Sequence, residues 1–253
     1  MTGVSGIHNR RFRAVANATD CNSVYSNYAI LSVQGPLSVD AHPQPVTECS
    51  GNATTISADI NNPGLLGSMI VNWQVSIDTT NPAGWANLPN NTIYNGTSAV
   101  NQSNGVTTLS ISNVAGLHGR FYRVAYRTST CGVQYTYAAW LIVEGPITVT
   151  AQPSDVDLCS GDAASFTATA DVGTAGTFAY QWQVSSDNGT NWTDITSGVG
   201  GTDGGVYTGE TTTTLNVSNS TGLYSRCYRL EFTTGQCNAV YTNRACLNID
   251  GPL

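Results

Sequence analysis

What this chain has least of is charge. Asp, Glu, Lys and Arg make up 10% of its 253 residues, and only nine of them are basic. Nine cations in a chain of net charge −7 cannot form a broad phosphate-binding face, which argues against a nucleic-acid partner. Long apolar runs are missing as well. The longest, 138–143, is far too short to span a bilayer. Met1 is not followed by a basic stretch and an apolar core, so no secretory leader is visible. There are only three histidines, and none lies near a nucleophile and an acid in a common motif, so triad chemistry has no support. Spacing of the C-x-x-C kind is absent, and with it the usual zinc ligand set. From these absences no catalytic residue, metal or cofactor is expected. Helix formers are sparse too. Thr, Ser, Asn and Gly fill the polar positions and favour strands and turns.

What is present is repetition. Residues 116–146 read GLHGRFYRVAYRTSTCGVQYTYAAWLIVEGP, 222–252 read GLYSRCYRLEFTTGQCNAVYTNRACLNIDGP, and 6–36 read GIHNRRFRAVANATDCNSVYSNYAILSVQGP. Cys21, Cys131 and Cys237 fall at steps of 110 and 106, and Cys49-Ser-Gly recurs 110 residues later as Cys159-Ser-Gly. This is a tandem array with a period near one domain. It divides the chain into a repeat over 37–146, a repeat over 147–253, and residues 1–36 as the closing hairpin of an incomplete one. A piece of that length cannot bury a core by itself. Either it is an excerpt from a longer chain, or it donates strands to a fold supplied by another.

Within 147–253 the pattern is short strands between turns. Ala164–Ala170 alternates, Phe178–Ser185 carries Trp182 at its centre, and Tyr228–Thr233 and Ala239–Ile249 form a hairpin around Cys237. The expected fold is all-β, tandem β-sandwich domains in a row. The chain resembles the immunoglobulin-like sandwich. Trp73 and Trp182 stand where that fold keeps its buried strand-C tryptophan. Tyr122 and Tyr228 stand at its strand-F tyrosine, with Phe12 in the first hairpin. These four, Trp73, Trp182, Tyr122 and Tyr228, are the expected core. The fold's inter-sheet disulfide is missing: Phe166 lies in strand B, and Val124 and Leu230 follow the tyrosines. Aliphatic packing is expected to replace it. More narrowly, the order C-S-G, W-Q-V-S-x-D-x-G-x-x-W, G-x-x-x-R-x-Y-R, turn Cys and G-P is similar to tandem immunoglobulin-like repeats of large Bacteroidota cell-surface proteins. Those include adhesins and gliding-motility filaments exported by the type IX system.

Seven cysteines at repeat positions imply disulfides and an oxidising, extracellular or cell-surface location. Cys227 and Cys246 lie opposite each other across a hairpin centred near Cys237, and Phe121 and Trp140 take their places one repeat earlier. They are expected to bond across the hairpin. For the others two schemes stay open. In-domain pairing joins Cys49 to Cys131 and Cys159 to Cys237, each closing a loop of roughly 80 residues at about 4 kcal/mol. The alternative joins Cys49 to Cys237 and staples neighbouring repeats. Cys21 is left unpaired in this window.

Remaining candidates have ordinary readings. Ser185-x-Asp187-x-Gly189-x-x-Trp192 resembles an Asp-box, a structural turn, and Ser76, Asp78, Gly84 and Trp85 echo it. His8, His118 and Tyr224 occupy one slot for a large polar ring, and His42 precedes Pro43 in a loop. Asp155, Asp157 and Asp162 match no calcium loop. Arg10, Arg11, Arg13, Arg120 and Arg123 read as outward strand positions. Phe121 and Trp140 should face away from the core as a possible contact surface. The expected function is a structural segment of an extracellular filament or adhesin shaft. Its partners would be neighbouring repeats and, in a filament, identical chains. The short Gly-Pro joints Gly35–Pro36, Gly145–Pro146 and Gly251–Pro252 support that reading. A carbohydrate- or protein-binding adhesin module, stacking a glycan or surface protein on Trp85, Phe121, Trp140 or Trp192, is the first alternative. Accessory domains of a secreted enzyme are the second.

Overall fold

The computed structural model describes residues 7–33, 37–62, 68–102, 105–129, 131–173 and 175–250. Of the three Gly-Pro joints, Gly35–Pro36 and Gly251–Pro252 lie outside the described residues. The architecture is all-β, with immunoglobulin-like sandwiches. Strands form where apolar and polar residues alternate. Thr54–Asn61 and Gly105–Ile111 send Ile56, Ala58, Leu109 and Ile111 inward, in the register Leu109↔Ile56 and Thr107↔Ala58. On the outer face of the same pair, the Ser57 and Thr108 hydroxyls hydrogen-bond at 2.8 Å. Thr and Ser thus give the outer face cross-strand bonds without adding charge.

Two compact units make up the chain. The first takes in residues 1–46, 53–113 and 119–141; the second takes in 47–52, 114–118 and 142–253. The segments 47–52 and 114–118 therefore count with the third repeat, although their sequence belongs to the second. In the first unit one sheet runs Tyr94–Asn95, Gly105–Ile111, Thr54–Asn61, Ser38–Ala41. The facing sheet contains Ser98–Gln102, Met69–Ser76 and Phe121–Arg127. Its centre pairs Val124 with Trp73 and Tyr122 with Val75. Trp73, Tyr122 and Val124 are fully buried. The Trp73 indole N–H donates to Thr107 Oγ1 at 3.3 Å, and the Tyr122 hydroxyl meets that of Tyr94 at 3.3 Å. The hairpins of the first 36 residues pair Arg11–Phe12 with Ala29–Ile30 and Val15–Ala18 with Cys21–Tyr25. All four strands are exposed, Phe12 included.

In the second unit Val156–Cys159, Ala245–Asp250, Cys227–Thr233, Ala179–Ser185 and Thr193–Asp194 make one sheet. Ala164–Thr167, Thr214–Val217 and Tyr207–Thr208 make the facing one, and Thr148–Ala151 pairs separately with Thr169–Asp171. Phe166 sits where a disulfide would bridge the sheets. Its ring packs 4.7 Å from that of Tyr228 and 6.5 Å from Trp182, and Leu230 lies opposite Trp182. The Trp182 indole N–H donates to the Thr212 carbonyl at 3.0 Å, so its one polar atom is satisfied. Behind it, the Tyr207 and Tyr228 hydroxyls meet at 3.1 Å, and the Tyr207 hydroxyl donates to Asp203 at 2.6 Å. Arg226 grips the same carboxylate with two nitrogens, at 2.6 and 3.0 Å. Burial pushes the Asp203 carboxyl up, but the bonds from Arg226 and Tyr207 outweigh it and hold the group below its ordinary range.

Phe166→Ala removes the ring that joins the sheets and should destabilise the second unit by about 3–5 kcal/mol. The exposed neighbour Ser165→Ala should change stability by less than about 0.5 kcal/mol. Equal shifts of the two urea midpoints would show that Phe166 does not carry the core.

Candidate functional site

A constrained polar cluster lies in the second unit around a four-residue turn, Thr234-Gly-Gln-Cys237. Glu144 ends the strand Ala139–Glu144 and is buried. Its Oε2 accepts the Thr234 hydroxyl at 2.5 Å and the Gln236 N–H at 2.9 Å. Its backbone carbonyl accepts the Ser50 N–H at 2.8 Å. Within the turn the Cys237 N–H donates to Thr234 Oγ1 at 3.0 Å. Cys49, last residue of Val46–Cys49, is disulfide-bonded to Cys237. Bonds to an ionised carboxylate are roughly twice as strong as neutral ones. Carboxylate and disulfide hold the turn from two sides. The arrangement fastens the turn.

This geometry corrects the in-domain scheme. Cys49 does not bond Cys131, and Cys159 does not bond Cys237. The reason is local: Glu144 holds Thr234 and Gln236 while Ser50 is held by the Glu144 carbonyl, so the sulfur brought to Cys49 is that of Cys237. The second disulfide is Cys227–Cys246, whose backbones are direct partners across the hairpin. Cys21 and Cys159 carry exposed thiols. Where the third repeat has Cys227 and Cys246, the second has Phe121 and Trp140, stacked with ring centres 6.1 Å apart, and Trp140 is 41% exposed.

A second arrangement recurs in both repeats. The Arg123 guanidinium lies 4.0 Å over the Trp85 ring and 3.9 Å from that of Tyr135, and its Nε donates to Gln74 at 2.9 Å. Arg229 does the same with Trp192, Tyr241 and Gln183, at 4.5, 4.1 and 2.7 Å. Arg13 over Tyr25, at 4.0 Å, is the counterpart in the first hairpin. Each cation–ring contact contributes about 0.5–1 kcal/mol at exposed sites. One ring face each of Trp85 and Trp192 is thus covered by an arginine. The sequence reading placed Arg123 on an outward strand face but missed both this sandwich and the Glu144 clasp. The signals were there: Thr-x-x-Cys at 128–131 and 234–237, and a Trp, Arg and Tyr repeating in step.

The other candidates serve the backbone. Asp187 accepts Asn191 N at 2.8 Å, Thr190 N at 3.0 Å and Ser185 Oγ at 2.7 Å. Gly189, at φ +91°, lets the turn pass under Trp192, whose indole N–H donates to the Gly189 carbonyl. Asp78 orders its own turn through Thr80. His8 and His118 accept the backbone N–H groups of Val33 and Val143 at 2.9 and 3.1 Å, which explains their shared slot. His42 stacks on Tyr137 with centres 4.0 Å apart. Asp155 accepts the Cys246 N–H, and Asp157 accepts the Asn248 side chain. Among the described residues no group of three or more His, Cys, Asp or Glu could hold a metal ion.

Residues 148–251 match a family described as "Domain of unknown function (DUF8696)". No curated protein sequence matches the chain. Among solved structures it is similar to an I-band fragment from titin, with 13% identity and a TM-score of 0.59 over 87% of this chain and 68% of that one. A three-Ig titin structure carrying an E-to-A mutation is similar at 14% identity and a TM-score of 0.57, covering 86% of this chain and 66% of that one. At such identity the likeness shows the tandem immunoglobulin-like fold alone. That fold with two disulfides fits a structural or a binding module. Among the described residues no helix is long and apolar enough to cross a membrane.

Peptide mapping without reductant should recover Cys49 joined to Cys237 and Cys227 joined to Cys246; a Cys49–Cys131 peptide would refute the clasp. Glu144→Ala strands the Thr234 hydroxyl and the Gln236 N–H, and should destabilise the second unit by about 1–3 kcal/mol in thermal melts. Asp187 gives a pH test. Its bonds, first that from the Asn191 N–H, hold its carboxyl down at about 2 from 3.8. A depressed folded value stabilises the turn above the unfolded pKa, and the contribution is lost as pH falls towards 2. The Asp187 carboxyl carbon should therefore titrate near 2 by NMR; a midpoint near 3.8 would show the turn bonds to be weak.

Proposed function

We propose that this chain is a non-enzymatic structural segment of an extracellular filament or adhesin shaft, built from disulfide-stabilised immunoglobulin-like repeats at 37–146 and 147–253. Residues 1–36 are the closing hairpin of a further such repeat. The motif order of the sequence supports a place among the tandem repeats of large Bacteroidota cell-surface proteins exported by the type IX route. Disulfide use supports an extracellular or cell-surface location. The observation that carries the reading is the Cys49–Cys237 bond. It connects residues 188 apart in sequence, so tension along the chain can pass through one covalent bond rather than through the folded repeats between them.

The exposed Trp140, stacked on a half-buried Phe121, favours a second reading, a binding module that presents an aromatic surface to a glycan or protein ligand. Binding on a glycan array that is lost in Trp140→Ala would support it.

The test of the first reading is single-molecule stretching from both ends. Without reductant the chain between the bonded cysteines, a sequence separation of 188, should stay out of the measured extension. Adding reductant should release an extra ~620–680 Å of contour, at 3.3–3.6 Å per residue. Equal contour lengths in the two conditions would sink the load-path reading.

A further inference from the structure

Glu231 in the third repeat and Ala125 in the second hold the same place. Each stands two residues after the stacked arginine, Arg229 or Arg123. Each is set between an amide and a tyrosine: Glu231 lies opposite Gln181 and Tyr241, and Ala125 opposite Asn72 and Tyr135. In the third repeat the carboxylate is in use. Glu231 accepts the Gln183 side-chain N–H at 3.2 Å and the Tyr241 hydroxyl at 3.3 Å. A second carboxylate, Asp194, accepts from the same Gln183 nitrogen at 2.8 Å. Burial pushes the Arg229 guanidinium down, and Tyr241 and Glu231 oppose that push.

The second repeat lacks both carboxylates and keeps the cation. Ala125 stands for Glu231, and Asn87 stands for Asp194 as the strand partner of the glutamine. Burial pushes the Arg123 guanidinium down in the same way, with no carboxylate against it. A further cation is present: Arg127, exposed, stands where the third repeat has Thr233. The place that a glutamate would fill is a hollow of about 210 Å³, lined in part by Asn72, Gln74, Asn87, Ala125, Arg127 and Tyr135. Gln74 is fully engaged. Its Oε1 accepts Arg123 Nε at 2.9 Å, and its Nε2 donates to Asn87 Oδ1 at 2.9 Å. That leaves the Asn87 side chain its N–H groups to donate. Among the described residues the Asn72 amide and the Arg127 guanidinium carry no side-chain hydrogen bond.

We infer that this hollow binds a carboxylated sugar, a uronic-acid residue of an acidic polysaccharide. Arg127 receives the carboxylate, for which its planar fork of donors is suited. The Asn87 amide donates to the ring hydroxyls, and the Asn72 amide both donates and accepts. Tyr135 forms an aromatic wall, held by the Arg123 guanidinium 3.9 Å from its ring centre. The ligand thus supplies the negative charge that Glu231 supplies in the third repeat. A sugar fits better than an acidic side chain because the amides offer bonds beyond the one charge and Ala125 leaves depth for a ring. The site uses neither Phe121 nor Trp140 nor the long disulfide, so it stands or falls separately from both readings above.

The experiment titrates glucuronate into the full chain and follows side-chain amide signals by NMR, with glucose as the neutral match. Glucuronate at millimolar concentration should shift the Asn72 and Asn87 amide signals. Glucose should bind about tenfold more weakly, and Arg127→Gln should weaken glucuronate by about the same factor, the scale of one charged hydrogen bond. Ala125→Glu should abolish binding with no fall in melting temperature, because it installs the side chain that the third repeat carries at this place. Arg127 is exposed, so Arg127→Gln reads the site even where Ala125→Glu folds poorly. Equal binding of glucose and glucuronate overturns the inference, as do amide shifts that survive Ala125→Glu. Binding of the dipeptide Glu-Glu with glucuronate silent also overturns it and gives the hollow to an acidic peptide instead.

Discussion

Everything in the second unit depends on how its two sheets are held together without a bond through the core. Phe166 against Tyr228 and Trp182 does this by packing, with Leu230 filling the place beside the indole. An interior packed this closely tolerates little change of volume. It does leave the cysteines available elsewhere. They sit at strand ends and turns, where a disulfide joins segments rather than sheets. The same trade holds in the first unit, where Val124 lies opposite Trp73. Moving sulfur from the core to the turns is the constraint from which the clasp at Cys49 follows.

Scarce charge shapes the rest. Arg123 and Arg229 are spent on flat stacks between two aromatic rings, each braced by a glutamine one strand away. Arg226 is spent on Asp203 beside the buried tyrosine pair. A guanidinium does both tasks because it is planar and presents a fork of donors; a lysine in these places would keep the charge and lose the shape. Outer strand faces use hydroxyl pairs instead, Ser57 with Thr108 and Thr167 with Thr214. That leaves surfaces with few solvated charges.

How much of this could be read beforehand depends on the distance over which each feature is decided. Strands announce themselves by alternation, because facing is fixed residue by residue. Cys227 and Cys246 share a hairpin whose register follows from its turn, so their opposition is local information. The partner of Cys49 is not. It depends on whether the Glu144 carboxylate finds the Thr234 turn, 90 residues away, and sequence left two schemes in balance. The arginine sandwiches were hidden for a different reason. Trp85, Arg123 and Tyr135 come from three segments and follow no period inside one repeat; only comparison between repeats reveals them. The compact units likewise cut across the repeats, because segments 47–52 and 114–118 gather around the later one.

The two disulfides differ in span, 188 residues against 19, and the difference bears on what the longer one is for. As a restraint on the unfolded chain, stabilisation grows only with the logarithm of loop size. Spans of this order correspond to about 5 and about 3 kcal/mol. If equilibrium stability were the purpose, the hairpin bond would achieve most of it with a tenth of the loop, and without recruiting a turn from a different repeat. The length of chain protected from extension grows linearly instead. In that respect the Cys49–Cys237 bond is worth roughly ten of the other, since extended chain adds about 3.3–3.6 Å per residue. A bond so placed gains little thermodynamically over a local one and a great deal mechanically. The Glu144 carboxylate then has a clear task, to hold the Cys237 turn in place so that this bond, and not a shorter one, is the one that forms.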